Sequence, residues 1–246
     1  MRKTWAIVRR ELIAYFSSPL AYVVLTAFLL MQGYIFYLLV SFLNNPQTPA
    51  MTPLRLFFGG TIFFWLFLLF VVPVITMRLI AEERRSGTVE VLLTSPVTEA
   101  QVVVGKFAAA MLFYIALWLP TVLYVLVLMR HSEIDLGPVL AGYVGVLLLG
   151  FLFLAVGTFA STLTDNQLIA AIIAFAAMVA LFSIGLVEQL IMSSSLKAVL
   201  GHMNLWTQMD DFAKGIVDTR HVVYQLSVGV LFLFLAAKSL EVKKWR

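Results

Sequence analysis

Cysteine is absent from the 246 residues of this chain, and charged side chains are scarce, at 12%. The first absence excludes disulfides, thiolate metal sites and thiol nucleophiles. The second excludes an ordinary soluble domain, in which about a quarter of the residues are charged. Hydrophobic residues make up 62% of the chain instead. The composition therefore predicts an integral membrane protein.

Alternating strands of about ten residues, which are typical of an outer-membrane barrel, are also lacking. The apolar residues form runs of about 20, long enough for a helix to cross roughly 30 Å of hydrocarbon. A helix also satisfies its own backbone hydrogen bonds in lipid. The predicted fold class is an all-α membrane protein with six transmembrane helices. The spans are predicted at residues 20–43, 57–77, 103–129, 139–163, 168–187 and 222–237.

Two of these spans follow a helix start signal. Thr98 with Gln101, and Thr164 with Gln167, have the spacing of a capping box ahead of an apolar run. In such a box two side chains accept hydrogen bonds from the free amides of the first turn. We therefore expect Thr98 and Thr164 to be helix N-caps.

Lysine and arginine are unevenly divided between the two sets of loops that six spans create. The loops on the side of the N-terminus hold Arg2, Lys3, Arg9, Arg10, Arg78, Arg84, Arg85, Lys106, Lys238, Lys243, Lys244 and Arg246, whereas the opposite loops hold Arg55, Arg130, Lys197, Lys214 and Arg220. Positively charged loops are retained in the cytoplasm, so both termini are predicted to be cytoplasmic. The net charge of +4 indicates membrane lipid as a partner. No nucleic-acid partner is expected, because no basic face is interleaved with aromatic residues.

Residues 1–19 are predicted to form an amphipathic helix in the cytoplasmic interface. Trp5, Val8, Leu12 and either Tyr15 or Phe16 recur at helical spacing, with charged residues mostly on other faces. Two roles fit this helix equally: an anchor that only sets topology, or a surface that contacts a partner.

A polar stretch, residues 81–101, separates the second and third spans. The second span is predicted to continue into water as a charged helix, and Gly87 is predicted to end it. A two-turn helix with one apolar stripe follows, carried by Val89, Leu92 and Leu93. Such a stripe fits a groove on a soluble partner, or it lies back on the bilayer. We call residues 81–101 the coupling segment.

The coupling segment contains acidic residues, a Gly-Thr-x-Glu-x-Leu motif and a closing proline, namely Glu82, Glu83, Arg84, Gly87, Thr88, Glu90, Leu92, Leu93 and Pro96. This run resembles the segment between spans two and three of type-2 ABC transporter permeases, the membrane subunits of ABC exporters. The resemblance extends to the interfacial helix, the six spans and the long segment before the sixth. Within the family, the chain looks most like permeases of the gliding-motility type and of the type serving maturation of nitrous oxide reductase.

The resemblance implies that residues 88–95 form a coupling helix docked on a cytoplasmic ABC ATPase dimer, which binds ATP and Mg. It implies no cofactor in this chain, a second permease copy or paralogue, and a place in the bacterial plasma (inner) membrane. The turn at 161–167 would be a smaller second contact, or Asp165 and Asn166 there only cap helices. The chain would be one permease domain, 1–246, in which 20–189 holds spans one to five, 190–221 an external helical segment, and 222–246 the sixth span and a basic C-terminus.

The chain is not expected to bind ATP or a metal ion, or to catalyse a reaction itself. No G-x-x-x-x-G-K-[ST] phosphate loop occurs, so ATP must be bound elsewhere. The middles of the spans contain no Asp, Glu, His, Lys or Arg, which counts against ion-coupled transport and intramembrane hydrolysis. His131, His202 and His221 lack metal-ligand spacing. We therefore predict no catalytic residue and no metal site.

The external segment is predicted to contain an amphipathic helix running from Leu205 to Val217, with Gly215 near its end. By the resemblance, it caps the exit or contacts an extracytoplasmic accessory protein. The candidate contacts are Trp206, Asp210, Asp211, Phe212, Gly215 and Asp218. Adjacent carboxylates on a helix do not converge on one substrate atom, so Asp210 and Asp211 are not expected to be catalytic.

Two functions fit these observations. The leading hypothesis is the permease subunit of an ATP-driven exporter, coupled to hydrolysis by a separate ATPase. The alternative is a mechanical relay that drives an extracytoplasmic partner without moving a solute, motivated by the small external region and the lack of a polar mid-span residue to hold a charged cargo. A lipid-modifying enzyme would need clustered Asp, Glu or His at the interface, and the sequence shows no such cluster.

Overall fold

The computed structural model describes residues 2–43, 53–85, 98–131, 135–191 and 194–244, and the regular structure in these ranges is helical throughout. The α-helices there are α1 Arg2–Ser17, α2 Pro19–Leu43, α3 Pro53–Phe57, α4 Ile62–Thr76, α5 Ala81–Arg85, α6 Glu99–Trp118, α7 Val122–His131, α8 Leu136–Leu163, α9 Gln167–Leu190, α10 Ser194–Met203, α11 Leu205–Ala213 and α12 Thr219–Lys244. A 3-10 turn, Leu119–Thr121, joins α6 to α7 at Pro120.

Six helical stretches are long and apolar enough to cross a membrane, which confirms the predicted all-α, six-span fold. They are Pro19–Ser41, Arg55–Arg85, Glu99–His131, Leu136–Leu163, Gln167–Leu190 and Thr219–Val242. The fourth stretch, α8, is central: 67% of its most apolar window is buried, against 22% for α9 and 17% for α12. Helix α8 therefore contacts most of the bundle, including α4, α6, α9, α11 and α12.

The second span is interrupted, so the predicted continuous helix into the coupling segment is wrong. Helix α4 contains Pro73 and ends at Thr76, and a turn separates it from α5. Proline supplies no backbone N–H, which weakens the last turns of the helix. The Thr76 hydroxyl donates to the Val72 carbonyl at 2.9 Å. Residues 77–80 therefore form a turn between α4 and α5.

Helix starts follow the sequence signals in one case and depart from them in another. Thr98 and Gln101 form the predicted capping box at the start of α6. The expected box of Thr164 and Gln167 is wrong, because Asn166 is the N-cap of α9 and accepts from the amides of the first turn. The Asn166 side chain accepts from the amides of Leu168 and Ile169, and asparagine is a stronger N-cap than threonine.

The predicted amphipathic helix 205–217 is shorter than expected. Helix α11 ends at Ala213, and Gly215 has a φ of +88°. The amides of Gly215 and Ile216 donate to the carbonyls of Phe212 and Asp211, which is a Schellman arrangement. Glycine is favoured at a left-handed position because it has no Cβ.

The connectivity gives the bundle two ends. The α1 end contains α1, α5, the start of α6, the α8–α9 turn and the end of α12. The α11 end contains α3, α10, α11 and the starts of α8 and α12.

Candidate functional site

At the α1 end, α1 lies directly against α6. A Cβ added to Gly105 would lie 2.9 Å from Cγ2 of Ile7, so only glycine allows the helices to approach this closely. Farther along, the rings of Tyr15 and Phe113 stack with centroids 5.0 Å apart. Helix α1 is therefore a packed part of the bundle.

This packing buries a lysine between two carboxylates. Lys106 on α6 is only 1% exposed, and its Nζ lies 3.0 Å from Oε1 of Glu11 and 3.0 Å from Oε2 of Glu83. Arg10 pairs with the same two carboxylates and is itself half exposed. We call Arg10, Glu11, Glu83 and Lys106 the charge cluster. It joins α1, α5 and α6.

The opposite charges of the cluster shift the pKa values of Glu11 and Arg10. Burial acts to raise the pKa of the Glu11 carboxyl, but Lys106 and Arg10 outweigh it and hold that pKa below its ordinary value of 4.5. Burial lowers the pKa of Arg10, and the two glutamates more than reverse this, so the pKa is raised. Tyr15 has a pKa raised by burial, and its protonated hydroxyl donates to the Ile75 carbonyl at 2.7 Å.

A serine on α8 holds the break between α4 and α5. Oγ of Ser161 accepts hydrogen bonds from the amides of Ile80 at 3.0 Å and Ala81 at 3.1 Å. The same hydroxyl donates to the Met77 carbonyl at 3.3 Å. Ser161 thus satisfies free amides at the start of α5, as an N-cap would, although it is some 80 residues away in the sequence.

Helix α5 has a second contact with the α8–α9 turn. Arg84 is 8% exposed, and its Nη1 lies 3.6 Å from Oδ1 of Asp165, which is largely exposed. Ion pairs of this kind with an exposed partner contribute little to stability. The pair nevertheless places Arg84 beside the turn at 161–167, which the sequence predicts as a smaller second contact.

The structure describes three of the predicted coupling residues. Glu83 belongs to the charge cluster, Arg84 lies against the α8–α9 turn, and Glu82 is exposed on α5. The remaining predicted coupling residues, Gly87, Thr88, Glu90, Leu92, Leu93 and Pro96, lie outside the described residues. Glu83 precedes residues 86–97 and Lys106 follows them, so their ion pair joins the two flanks of that stretch.

At the α11 end, the predicted contact residues separate into two groups. Trp206 and Asp210 line a cavity of about 370 Å³ together with Arg55. Asp210 pairs with Arg55 and, at 2.5 Å, with Lys214. Asp218 lines a different cavity of about 640 Å³.

The other three predicted contact residues at this end are engaged in contacts within the chain or in ending α11. Phe212 is fully buried, and a Cβ added to Gly145 on α8 would lie 2.7 Å from its ring. Asp211 pairs with Nε2 of His221 at 3.0 Å. Gly215 ends α11. Phe212 is thus a packing residue between α11 and α8 and is not presented to a partner in this conformation.

Sequence reasoning missed the residues that hold both ends together. From the sequence, Lys106 contributes only to the topology prediction, and Ser161 only to the predicted turn at 161–167. A lysine eight residues into an apolar helix needs a carboxylate partner, and this signal predicts an ion pair without identifying Glu11 as its member. At the α11 end, buried Gln225 donates to Gln208 at 2.7 Å.

The expectation that the spans lack polar side chains at mid-depth is also wrong at one position. Gln32 lies near the middle of α2 and is 2% exposed, and its Oε1 has no hydrogen-bond partner in the described structure. Across the described ranges, no group of three or more His, Asp or Glu side chains is placed to hold a metal ion.

Comparison with known proteins identifies the family. A family model described as ABC-2 family transporter protein matches residues 43–203. A search of curated proteins found no match. The matched region covers the coupling segment, α8 with Ser161, and the second to fifth spans. It extends over more than half of the chain, and the six-span bundle agrees with it. The chain therefore belongs to the ABC-2 family of transporter proteins, as a multi-pass transmembrane subunit of an ABC transporter.

Proposed function

We propose that this chain is the permease subunit of an ATP-driven exporter and that the coupling segment receives force from a separate ATPase. Two permeases, identical or paralogous, would pair with two ATPase subunits that bind ATP and Mg. The α1 end would face the cytoplasm of a bacterial cell, with the complex in the inner membrane. The division of lysine and arginine between the loops supports this orientation.

The charge cluster is the observation that carries the proposal. A push on residues 86–97 reaches the bundle through α5 and α6, and Glu83 and Lys106 join these helices at 3.0 Å. Glu11 adds α1 to the same joint. Because Lys106 is buried, separating it from its carboxylates is costly. The two flanks and α1 would therefore move as one unit.

Ser161 extends this unit into the core of the bundle. Its hydroxyl contacts three backbone groups at the α4–α5 break, and it belongs to α8, the central helix. A displacement of α5 would be passed to α8 through these bonds. ATP-driven closure would thus bias the bundle between two arrangements.

The direct test uses the permease purified with its ATPase. Replacing Leu92 and Leu93 with Asp, and Glu90 with Arg, is expected to abolish co-purification of the ATPase and the stimulation of its hydrolysis. The matched control replaces exposed residues on α12, Lys238 with Glu and Glu241 with Lys, which preserves their pair in reversed order. Unchanged assembly and turnover in the coupling-segment variant would refute the docking role.

A mechanical relay is the second candidate, and one observation favours it. Helix α8 carries Ser161 at the α1 end and Gly145, which contacts Phe212 of α11, at the other. These positions are 16 residues apart, or about 24 Å along a helix. A shift of α8 would therefore move α11 without any solute passing. ATP-dependent accumulation of a solute in sealed inverted vesicles would exclude the relay as the sole role.

A further inference from the structure

A cavity of about 280 Å³ lies at the α1 end, where two helix breaks meet. One break, at Ser18, separates α1 from α2, and the other is the turn at 77–80 between α4 and α5. Ser18 and Arg78 both line the cavity, and Nη1 of Arg78 donates to Oγ of Ser18 at 3.3 Å. The first membrane-spanning stretch begins at Pro19. The cavity therefore lies at the membrane boundary, at the depth of lipid head groups.

Arg78 brings an incompletely bonded positive charge to this cavity. Its hydrogen bond to Ser18 is long, and its Nε atom is buried without a hydrogen-bond partner in the described structure. The ion pairs among the described residues do not include Arg78. A buried guanidinium N–H without an acceptor is costly. A ligand that supplies acceptor oxygens is therefore favoured at Arg78.

Two acidic residues also line the cavity, but their charges are already engaged within the chain. Glu11 pairs with Arg10 and Lys106. Glu82 also has an interaction within the chain. The cavity therefore calls for an anion at Arg78 and does not require a second cation.

The rest of the cavity is apolar and continues into the lipid-facing surface. Its floor is formed by buried apolar residues, namely Ala21, Val24, Ile75, Leu79 and Phe113. On α2 the neighbouring Tyr22 and Val23 are exposed to 57% and 63%. In a membrane-spanning helix an exposed apolar face contacts acyl chains. A molecule bound here can therefore hold an anionic group at Arg78 and an apolar chain along α2.

We propose that this cavity binds the phosphodiester group of a membrane phospholipid at Arg78, with one acyl chain along α2. A guanidinium presents Nε–H and a neighbouring Nη–H side by side, and this edge matches two phosphate oxygens. The hydroxyl of Ser18 accepts from Arg78 and can donate its own hydrogen to the same phosphate. The lipid thus connects the α1–α2 break with the α4–α5 turn. The inference requires only that the chain spans a membrane and does not depend on an ATPase partner.

The phosphodiester is the recognised group, and the head group beyond it is not. A phosphodiester carries one negative charge, which matches the one positive charge of Arg78. The rim of the cavity includes Ala14 and Glu82, which are exposed, so the end of the head group extends past them into water. Glycerol and choline phospholipids should therefore bind alike.

The test compares diacyl lipids with and without a phosphate on the purified chain, in the absence of an ATPase. The chain is reconstituted in nanodiscs that contain equal fractions of glycerol phospholipid, choline phospholipid and glucosyl diacylglycerol with identical acyl chains. After gentle extraction, native mass spectrometry counts the bound lipids. We expect each phospholipid to be retained about tenfold more than the glucosyl lipid, because one charge-assisted hydrogen bond is worth about that factor. Equal retention of all three lipids, or retention of the glycerol phospholipid alone, would overturn the proposal.

Variants locate the site. Arg78→Gln is expected to retain the three lipids equally, whereas Arg9→Gln, at an exposed position of α1 outside the cavity, is expected to keep the preference for phospholipids. Because Arg78→Gln risks misfolding, Ala14→Trp provides an independent variant that fills the rim and leaves every charge in place. It is expected to lower retention of both phospholipids about tenfold, because it blocks the approach to Arg78. Full retention in Ala14→Trp, or equal loss in Arg9→Gln, would contradict the assigned site.

A competition experiment separates a lipid from a soluble phosphodiester. Glycerophosphoglycerol, which has the same phosphodiester but no acyl chains, is added at the same concentration as the phospholipids. Continued retention of the phospholipids is expected, because the acyl chain along α2 contributes to binding. Their displacement by this equimolar amount would show that the site takes a soluble phosphodiester, and the lipid assignment would be wrong.

Discussion

The two ends of the bundle are held together by different forces. At the α1 end, charges join helices that are distant in the sequence: Lys106 contacts Glu11, 95 residues away, at 3.0 Å. At the α11 end, a buried aromatic ring fills the space above a glycine, as Phe212 does at Gly145. A charged joint depends on every partner remaining present, whereas a packed joint depends on shape. The charged joint suits the end of the bundle that an ATPase would push. The packed joint suits an end whose helices move together as a rigid body.

The most damaging change to the α1 end removes the central cation. Lys106→Met removes the buried cation between Glu11 and Glu83, and the two partly buried carboxylates keep only half-exposed Arg10 of their two shared cations. Removing one partner of a buried ion pair lowers the free energy of unfolding by about 3–5 kcal/mol. We expect the free energy of unfolding in mixed detergent micelles to fall by about this amount, and stimulation of the ATPase to be lost.

A compensating variant separates charge from packing at Lys106. The triple variant Lys106→Met, Glu11→Gln and Glu83→Gln also neutralises the two carboxylates that lose Lys106, and it is expected to recover most of the stability. Lys238→Met provides the control, because the pair of Lys238 with Glu241 is about half exposed and is worth about 0–1 kcal/mol. Equal losses in Lys106→Met and Lys238→Met would show that the charge cluster is not a joint.

The most damaging small change at the α11 end adds one methyl group. In Gly145→Ala, the new Cβ would lie 2.7 Å from the ring of Phe212, and overpacking a core typically costs about 1–3 kcal/mol. We expect that loss in the same unfolding assay. Phe212→Leu, a smaller side chain, should partly restore stability in the double variant. Additive losses from Gly145→Ala and Phe212→Leu would argue against direct contact between α8 and α11.

The sequence anticipated the spans more fully than the joints. Apolar runs of about 20 residues identify membrane helices because each helix satisfies its own backbone. The partner of Lys106 could not be read in this way, because Glu11 and Lys106 meet only when Gly105 brings α1 against α6. The break before α5 was missed for a similar reason: the side chain that satisfies it, Ser161, comes from α8.

At the α11 end, local sequence signals were sufficient for one feature and insufficient for two others. Local signals placed Gly215 near a helix end, because a left-handed position favours glycine. The same spacing suggested one helix through Val217, although Ile216 and Val217 lie beyond the end of α11 and are exposed. The apolar spacing of α11 continues in the sequence past the turn, because Ile216 and Val217 happen to stand at helical positions. The contact of Phe212 with Gly145 could not be predicted from the sequence, because the two residues are 67 positions apart and meet only in the folded bundle.

Acid should loosen the α1 end selectively. The folded-state pKa of Glu11 is held below 4.5, so the unfolded state binds protons more readily. The stabilisation from Glu11 is therefore complete above about pH 4.5 and is lost as the pH falls through the lower folded-state pKa. We expect unfolding curves of the wild type to be constant between about pH 5.5 and 8 and to weaken below about pH 4.5.

The variant Glu11→Gln isolates this pH effect. It removes the titrating carboxyl but retains nearly the same volume, so the part of the acid sensitivity that comes from Glu11 should disappear from the unfolding curves. Arg10 and Lys106 are the cations that face Glu11. An identical acid response in the wild type and in Glu11→Gln would assign the sensitivity to other carboxylates.

The smallest expected effect tests whether charge matters at the α11 end. Arg55 and Asp210 form an ion pair there, but Arg55 is 39% exposed, and Asp210 retains Lys214 as a second cation. Exposed pairs contribute about 0–1 kcal/mol, so Arg55→Gln should change the free energy of unfolding by less than about 1 kcal/mol. The same assay at high salt should narrow the difference further, because exposed charges are screened. A loss as large as that of Lys106→Met would mean that both ends rely on buried charge, and the contrast between a charged joint and a packed one would no longer hold.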